Sequence, residues 1–528
     1  MKNITHIPFT QIDSVPQLIK DYLEGDLEAY NENRFSLENF AKQIEKKKNS
    51  FSSSSRELLS EVLADQHKDL ELSEKQRMNL ELMKSENTFT LVTGHQLNLF
   101  TGPVFFVYKI LQTIKTAEFL KTNFPEMDFV PLFWLASEDH DFEEINHFKT
   151  RGHYYELKAK SGGAVGRIKV EEPYFIHEFE KQFEHSIYGT ELIRWMQEAY
   201  ETGVSLTDAT KRLVNRLFDS YGLLMIDGDD RRLKKSMIAT FREELESEAL
   251  FHYSKEEVKT IIDAYGKAQV NPREINLFYL STTRNRIEAS AEGFDVVDTE
   301  LKFTKEELFK ELEKYPERFS PNALMRPVYQ ETVLPNLAYI GGNAEIMYWM
   351  ELKSYFKHLD LDFPLLIPRN SFLMITEKTL GKMERLDLDV LDFYKNFAQI
   401  VNHKFIHESK VYPTLREQKD ILLNGFETLK SRAYETDKTF LNLVLAEEKR
   451  QLRSFDKMEK RLLRAEKIKH HEKLDRLEQL FLVVHPGKNW QERVFNFSVF
   501  YSEFGRDWLQ NCYLQMEVEK SGVNILMI

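Results

Sequence analysis

Two short apolar runs, bracketing a glycine-containing loop and an apolar helix, constrain this chain more than any other feature. Residues 88–93 (TFTLVT) are β-rich and end at Gly94; residues 129–136 (FVPLFWLA) form the second run, closed by the acidic cluster SEDHD at 137–141. Between them, residues from about 103 to 120 are apolar enough for a buried helix. Strand, loop, helix, strand is the pattern of a βαβ unit. The crossover makes the two strands parallel, and parallel sheets are covered on both faces, which is why the runs are apolar throughout rather than alternating. In such sheets ligands bind outside the carboxyl ends of the strands.

The same texture recurs. Residues 221–227 (YGLLMID), 276–280 (NLFYL), 337–340 and 363–368 predict further buried strands, 341–342 a glycine turn and 344–356 a helix. Residues 1–85 read as mostly helical, with the serine run 52–55 as a loop. Past about 375 the β signals fade and Lys, Glu and Leu dominate up to 480. Leu445, Leu452, Phe455 and Leu462 are spaced seven, three and seven, an a/d heptad seam that resumes at Leu474, Leu477 and Phe481. HPGK at 485–488 breaks it, and 491–505 predicts a packed amphipathic helix stopped by Gly505. The expected organisation is a core over 1–375 with insertions at about 150–220 and 230–320, a helical coiled-coil arm over 376–485, and a segment 486–528 that returns to the core.

Composition narrows the function. Of 528 residues 42% are hydrophobic and 12% aromatic, which excludes a disordered chain. A net charge of −13 argues against a general nucleic-acid binder, which carries a basic footprint. The single cysteine, Cys512, excludes an intrachain disulfide and a cysteine-built zinc site, and reads as a small buried hydrophobe. No apolar stretch approaches the ~20 residues of a membrane span, and no apolar region follows a basic N-terminus. The expectation is a cytoplasmic protein with no membrane partner.

Four segments could carry chemistry. TGHQLNLFTGP, 93–103, sits between strand and helix; Thr93, Gly94, His95, Gln96, Asn98 and Gly102 could cradle a nucleotide or another anion, since glycines allow close backbone approach and helix starts favour anions. The alternative is a tight βα turn capped by Asn98. Glu138, Asp139, His140 and Asp141 follow a buried strand directly and could bind a metal, hold an ammonium group or supply a general base; the alternative is solvation and helix capping. No tightly bound metal is expected. In 326–349 (RPVYQETVLPNLAYIGGNAEIMYW), Gln330, Glu331, Asn343 and Glu345 are polar groups in apolar sequence, so they need partners, either a ligand or one another. Glu345 and Trp349 share a helical face at i, i+4, with Tyr348 turned elsewhere. Arg326, and Arg369 at the end of PLLIPR, suit a carboxylate or phosphate, or a core salt bridge.

Taken in order and spacing, TGHQLNLFTGP, PLFWLASEDHDFEEIN, the 326–349 segment, PLLIPR and QERVFNF resemble the bacillithiol biosynthesis cysteine-adding enzymes over nearly the whole chain. The resemblance implies an α/β fold: a Rossmann-like, nucleotidyltransferase-like core with inserted connecting segments plus a long α-helical coiled-coil domain. It implies a homodimer and a ligase that joins cysteine through an amide to the amino group of glucosaminyl malate, the last step of bacillithiol synthesis. ATP with Mg²⁺ is the expected source of activation. On this reading the 94–98 loop holds phosphates or a carboxylate, and Glu138, Asp139 and His140 orient the attacking amine or take its proton. Arg326 and Arg369 hold substrate carboxylates, and Gln330, Asn343, Glu345, Tyr348 and Trp349 line the substrate pocket. The family's first loop commonly reads GQQ followed by a small residue and glycine; here His95 and Asn98 depart from it. The competing readings are a nucleotide-binding scaffold and an adenylating nucleotidyltransferase with a coiled-coil assembly arm.

Overall fold

The computed structural model describes residues 1–528, the side chain of Asn3 excepted. The chain forms two compact units. One comprises Met1–Gln11, Val15–Met374 and Glu492–Ile528; the other comprises Ile12–Ser14 and Ile375–Gln491.

The first unit is built on a five-stranded parallel sheet: β1 (Thr88–His95), β2 (Asp128–Leu135), β3 (Leu224–Asp227), β4 (Asn336–Gly341) and β5 (Leu365–Pro368). Their spatial order is β5-β4-β1-β2-β3, with every pair parallel. The chain runs outward from β1 through β2 to β3, then returns to the far side of β1 for β4 and β5. That is the Rossmann-like order, and the reversal leaves a crevice outside the carboxyl ends of β1 and β4. Helix α1 (Phe105–Asn123) makes the β1–β2 crossover and buries Phe106, Ile110 and Ile114. On the sheet, Phe89, Leu91, Leu337, Ile340, Leu365 and Ile367 form one cluster; each side chain buried there contributes about 2 kcal/mol.

Several expectations shift. The 276–280 run lies outside the parallel sheet. It is Leu277–Leu280 of a separate antiparallel sheet that also holds Arg284–Ser290, Gly293–Val296, Lys302–Phe303 and Phe319–Pro321. Four apolar residues satisfy either kind of strand; the hairpin to Arg284–Ser290 decides. The serine run is no loop: Ser52 caps helix Ser53–His67 by accepting Ser55 N at 3.1 Å. Helix α2 (Met325–Val333) precedes β4, and the single helix expected over 344–356 is two, α3 (Asn343–Met350) and Lys353–His358. The helix expected over 491–505 is broken into Gln491–Val494 and Ser498–Phe504, because Asn496 turns inward to donate to Phe100 O at 2.7 Å and Gly102 O at 2.6 Å. Gly505, at φ 57°, does stop it.

The second unit contains α4 (Tyr412–Ala433), α5 (Lys438–Lys469) and α6 (His471–Val484). The first two form a hairpin around Leu422, Phe426, Leu441 and Val444. The seam is offset from the one expected: Val444 faces inward and Leu445 is 42% exposed. Lys430 pairs across the hairpin with Glu448 at 3.0 Å, and Lys419 with Asp456 at 3.0 Å.

Candidate functional site

A cavity of about 580 Å³ opens at the crevice above β1, β2 and β4. Because all the parallel strands end there, short stretches of distant sequence converge. β1 brings Gly94 and His95, the turn after β2 brings 137–140, α2 brings Arg326 and α3 brings Glu345 and Tyr348.

Lys109 ties the crevice together. It is the one charged residue in the buried stretch of α1 and is 2% exposed. Its ammonium donates to Gly94 O and to the Glu345 carboxylate, 2.7 Å away, linking the end of β1 to the start of α3. Glu345 also accepts Tyr339 OH at 3.0 Å and Gly342 N at 2.7 Å. Burial opposes its charge, but Lys109, with the Gly342 amide, outweighs burial and holds the carboxyl at about 2. Beside it, burial, with Lys109 adding, pushes His95 down to about 3, so its imidazole is neutral against the rings of Phe105 and Phe106.

The acidic cluster is equally committed. Lys234, fully buried, donates to Glu138 and to Phe319 O at 2.6 Å. Asp139 accepts Gln96 Nε2 at 2.8 Å and His140 N at 2.8 Å. Burial would raise its pKa; contacts with His140, Gln96 and Arg284 outweigh that and hold the carboxyl well below the usual range. Arg284 donates from Nη1 to His140 Nδ1 at 2.9 Å, which places the imidazole proton on Nε2. His140 lines the cavity with Nε2 as the ring nitrogen left free of Arg284.

Charge sets the character of the site. In a chain of net charge −13, the cavity is lined by six arginines (273, 284, 286, 326, 369 and 493) against three carboxylates, Glu138, Asp139 and Glu345. All three carboxylates are already paired with cations. Arg369 forms a bidentate pair with Glu492 at 2.9 and 2.7 Å, leaving its Nε buried and without a partner. Arg273, Arg326 and Arg493 have no carboxylate partner among the described residues. Arg326 instead touches Gln330 at 2.9 Å and Tyr348 OH at 3.4 Å. Such a site favours ligands with several carboxylate or phosphate groups.

Not every expected residue reaches it. Thr93 donates to Ile340 O at 2.8 Å and joins β1 to β4. Asn98 and Gly102 form a tight turn outside the cavity: Gly102 has φ +63°, and a Cβ there would lie 2.7 Å from Asn98 Cβ. Asp141 is exposed at the start of Phe142–Ile145. Gln330 is buried behind Arg326 in a network with Glu331 and Asn336. Asn343 lies outside the lining. Trp349 is in the core, stacked on Tyr339 at 4.6 Å, so Tyr348 faces the cavity and Trp349 does not, the reverse of the spacing argument. Sequence reasoning missed Lys109, Lys234, Arg273, Arg284, Arg286 and Arg493. Lys109 carried a signal, a lone lysine in an apolar helix; Arg493 lay inside the QERVFNF motif; the others had none.

Residues 3–370 match the family described as "Bacillithiol biosynthesis BshC, N-terminal Rossmann-like domain", and residues 372–528 match "Bacillithiol biosynthesis BshC, C-terminal coiled-coil domain". A protein of Flavobacterium johnsoniae is 40% identical over 517 residues, 97% of each chain. One of Christiangramia forsetii is 39% identical over 531 residues, 98% of each, and one of Chlorobaculum tepidum is 28% identical over 487 residues, 85% of this chain and 84% of its own. All three are named "Putative cysteine ligase BshC".

Proposed function

This chain belongs to the bacillithiol biosynthesis BshC family, and on that premise we propose that it is a cysteine ligase joining the carboxyl group of L-cysteine to the amino group of glucosaminyl malate. The amide closes the last step of bacillithiol biosynthesis. The observation that carries this reading is the surplus of guanidinium groups at the switch point, six in all, three of which face the cavity without a carboxylate partner. Malate contributes two carboxylates, cysteine one and a nucleotide its phosphates, so both substrates and an activating nucleotide bring anionic groups to the site.

ATP with Mg²⁺ supplies the activation, since condensation of a free carboxylate with an amine is unfavourable in water. The donors fit phosphate: Arg326, Arg369 Nε and Arg493 converge, and Asp139 and Glu345 are too fully paired to serve as metal ligands. Arg326 and Arg493 hold the anionic groups. His140 Nε2–H and Arg284 orient a substrate oxygen. The amine must be neutral to attack, and Glu138 is the carboxylate placed to receive its proton, because Lys234 occupies only one of its oxygens. The same reading makes the protein a cytoplasmic homodimer acting on small molecules rather than on nucleic acid or membrane.

The test is product formation by the full chain with cysteine, glucosaminyl malate and ATP·Mg²⁺, followed by mass spectrometry. We expect the cysteinyl adduct, and a loss of about 10²–10⁴-fold in kcat for Glu138→Gln. Nucleotide binding without adduct would sink the ligase reading and favour the scaffold. Cysteine-dependent exchange of pyrophosphate into ATP without adduct would favour an adenylating enzyme.

A further inference from the structure

Segment 266–274 joins helix Ala249–Tyr265 to strand Leu277–Leu280 and carries Arg273 to the cavity. None of its nine residues is buried, so no apolar contact in the core fixes its path. Polar ties from two buried carboxylates do, and neither has a part in the chemistry proposed above. At the strand end, Asn276 is fully buried. It accepts Arg273 N at 3.2 Å and donates to Arg273 O at 2.7 Å, and both its backbone N and its Nδ2 donate to Glu244 Oε1 at 2.9 Å. At the helix end, Glu351 accepts Gln269 N at 2.7 Å and Val270 N at 3.3 Å on a single oxygen, Oε1. Glu351 is 1% exposed, and its Oε2 is buried without a partner. It directly follows α3, the helix that presents Glu345 and Tyr348 to the cavity. A buried carboxyl group with an unsatisfied oxygen costs stability.

We infer that Glu351 is a positioning residue: it pins segment 266–274 so that Arg273 stands at the cavity and meets the anionic substrate. This rests on the cavity being the ligand site proposed above. Asn276 and Glu244 form the fixed end of the segment, and Glu351 the releasable one.

The ionisable groups near the pin are few. Tyr30 donates to Met350 O at 2.8 Å, Lys353 lies over the Tyr30 ring at 5.1 Å, and Glu257 accepts Ser354 N at 2.9 Å. None of them bonds to Glu351. Burial pushes the Glu351 carboxyl up to about 7, with the two amides pulling it back. Released into water it would return to the ordinary carboxyl range. The pinned form thus binds the proton more tightly than the released form, so pinning is strongest at low pH and weakens as pH rises through 7.

Hydrogen exchange of the full chain at pH 6 and pH 8 tests this. In the wild type the protection factors of Gln269 and Val270 should fall about tenfold between the two. Glu351→Gln keeps the acceptor but cannot titrate, and its protection should be the same at both pH values. Glu351→Ala should lose protection at both. Equal pH dependence in wild type and E351Q, or full protection in E351A, would overturn the inference; if E351A does not fold, the E351Q comparison decides. KM for glucosaminyl malate then locates the effect. Arg273→Ala and E351A should each raise it several-fold with kcat little changed, and the double variant should match R273A alone. An additive double variant would mean that Glu351 acts through something other than Arg273. Exchange as expected with an unchanged KM in R273A would leave the pin standing and overturn Arg273 as a substrate contact, and only an unchanged KM in Arg326→Ala as well would remove the cavity as the substrate site.

Discussion

At the residue scale, α3 is the instructive case. Residues three and four apart lie on the same side of a helix, so both Tyr348 and Trp349 were geometrically able to join Glu345 at the cavity. The ring of Tyr339 settles it: it stacks on Trp349 at an interplanar angle of 26° and draws the indole into the core, which leaves the phenol of Tyr348 to meet Arg326. Mutation should separate the two roles. Trp349→Ala removes a fully buried side chain and should cost about 3–5 kcal/mol in urea unfolding. Tyr348→Phe loses one long contact and should change stability by less than about 1 kcal/mol, while raising KM for the anionic substrate. If Y348F proved the more destabilising of the two, the helix would be rotated from the arrangement described. Lys109 makes the complementary point. Lys109→Met would leave Glu345 with an uncompensated charge and should destabilise the protein by about 3 kcal/mol.

At the element scale, the runs that were apolar throughout were readable as buried elements, and the helix between the first two made them parallel, so β1, β2, β4 and β5 were legible while the sheet that takes 276–280 was not. The helical arm was readable from its heptad spacing, though its seam was displaced: Leu443, Val444 and Leu445 are all apolar, so only the partner helix selects which of them faces inward. What spacing could not convey is how an element is interrupted by a distant one. The turn after β1 holds Phe100 at φ 48°, Thr101 at φ 69° and Gly102 at φ 63°, a left-handed run that costs about 1–3 kcal/mol per non-glycine residue. Asn496, some four hundred residues later, stabilises it by donating from its one amide group to two of the turn's orphan carbonyls. Gly102→Ala should therefore destabilise by about 2 kcal/mol or more, since it adds both a strained φ and a Cβ against Asn98. In the double variant with Asn98→Ala, the strain should remain, because the Cβ of residue 98 is still present. Full recovery of the urea midpoint in that double variant would mean that the side chain of Asn98, and not the backbone, is the source of the cost.

At the scale of the whole molecule, the cationic site was the part least legible in sequence. Arg273, Arg284, Arg326, Arg369 and Arg493 come from five separate stretches of a chain that is acidic overall, and only the fold sums them. Burial of ionisable groups is likewise a property of the fold, and it predicts a pH profile. Burial pushes His67 down to about 4 and His95 to about 3, so their contribution to stability is complete above their ordinary value near 6.5 and is lost as pH falls toward those depressed values. Burial raises Asp227 to about 6 and Glu351 to about 7, so their contribution is complete below the ordinary carboxyl range and is lost as pH rises through 6 and 7. Across the same interval His147, also depressed by burial, adds to the histidines, while Glu244, Glu257 and Glu331, also raised by burial, add to the carboxyls, so the wild-type slope is a balance of opposed groups. Removing one titration should unbalance it. In Glu351→Gln that group's share of the alkaline-side loss disappears, so stability relative to wild type should climb from pH 5 to pH 6.5 by about 1 kcal/mol per pH unit. The urea dependence of exchange at β1 and β4 amides reports on this unit alone. A profile in E351Q parallel to that of the wild type would show that Glu351 does not titrate in this range, and would count equally against its role as the releasable end of the Arg273 segment.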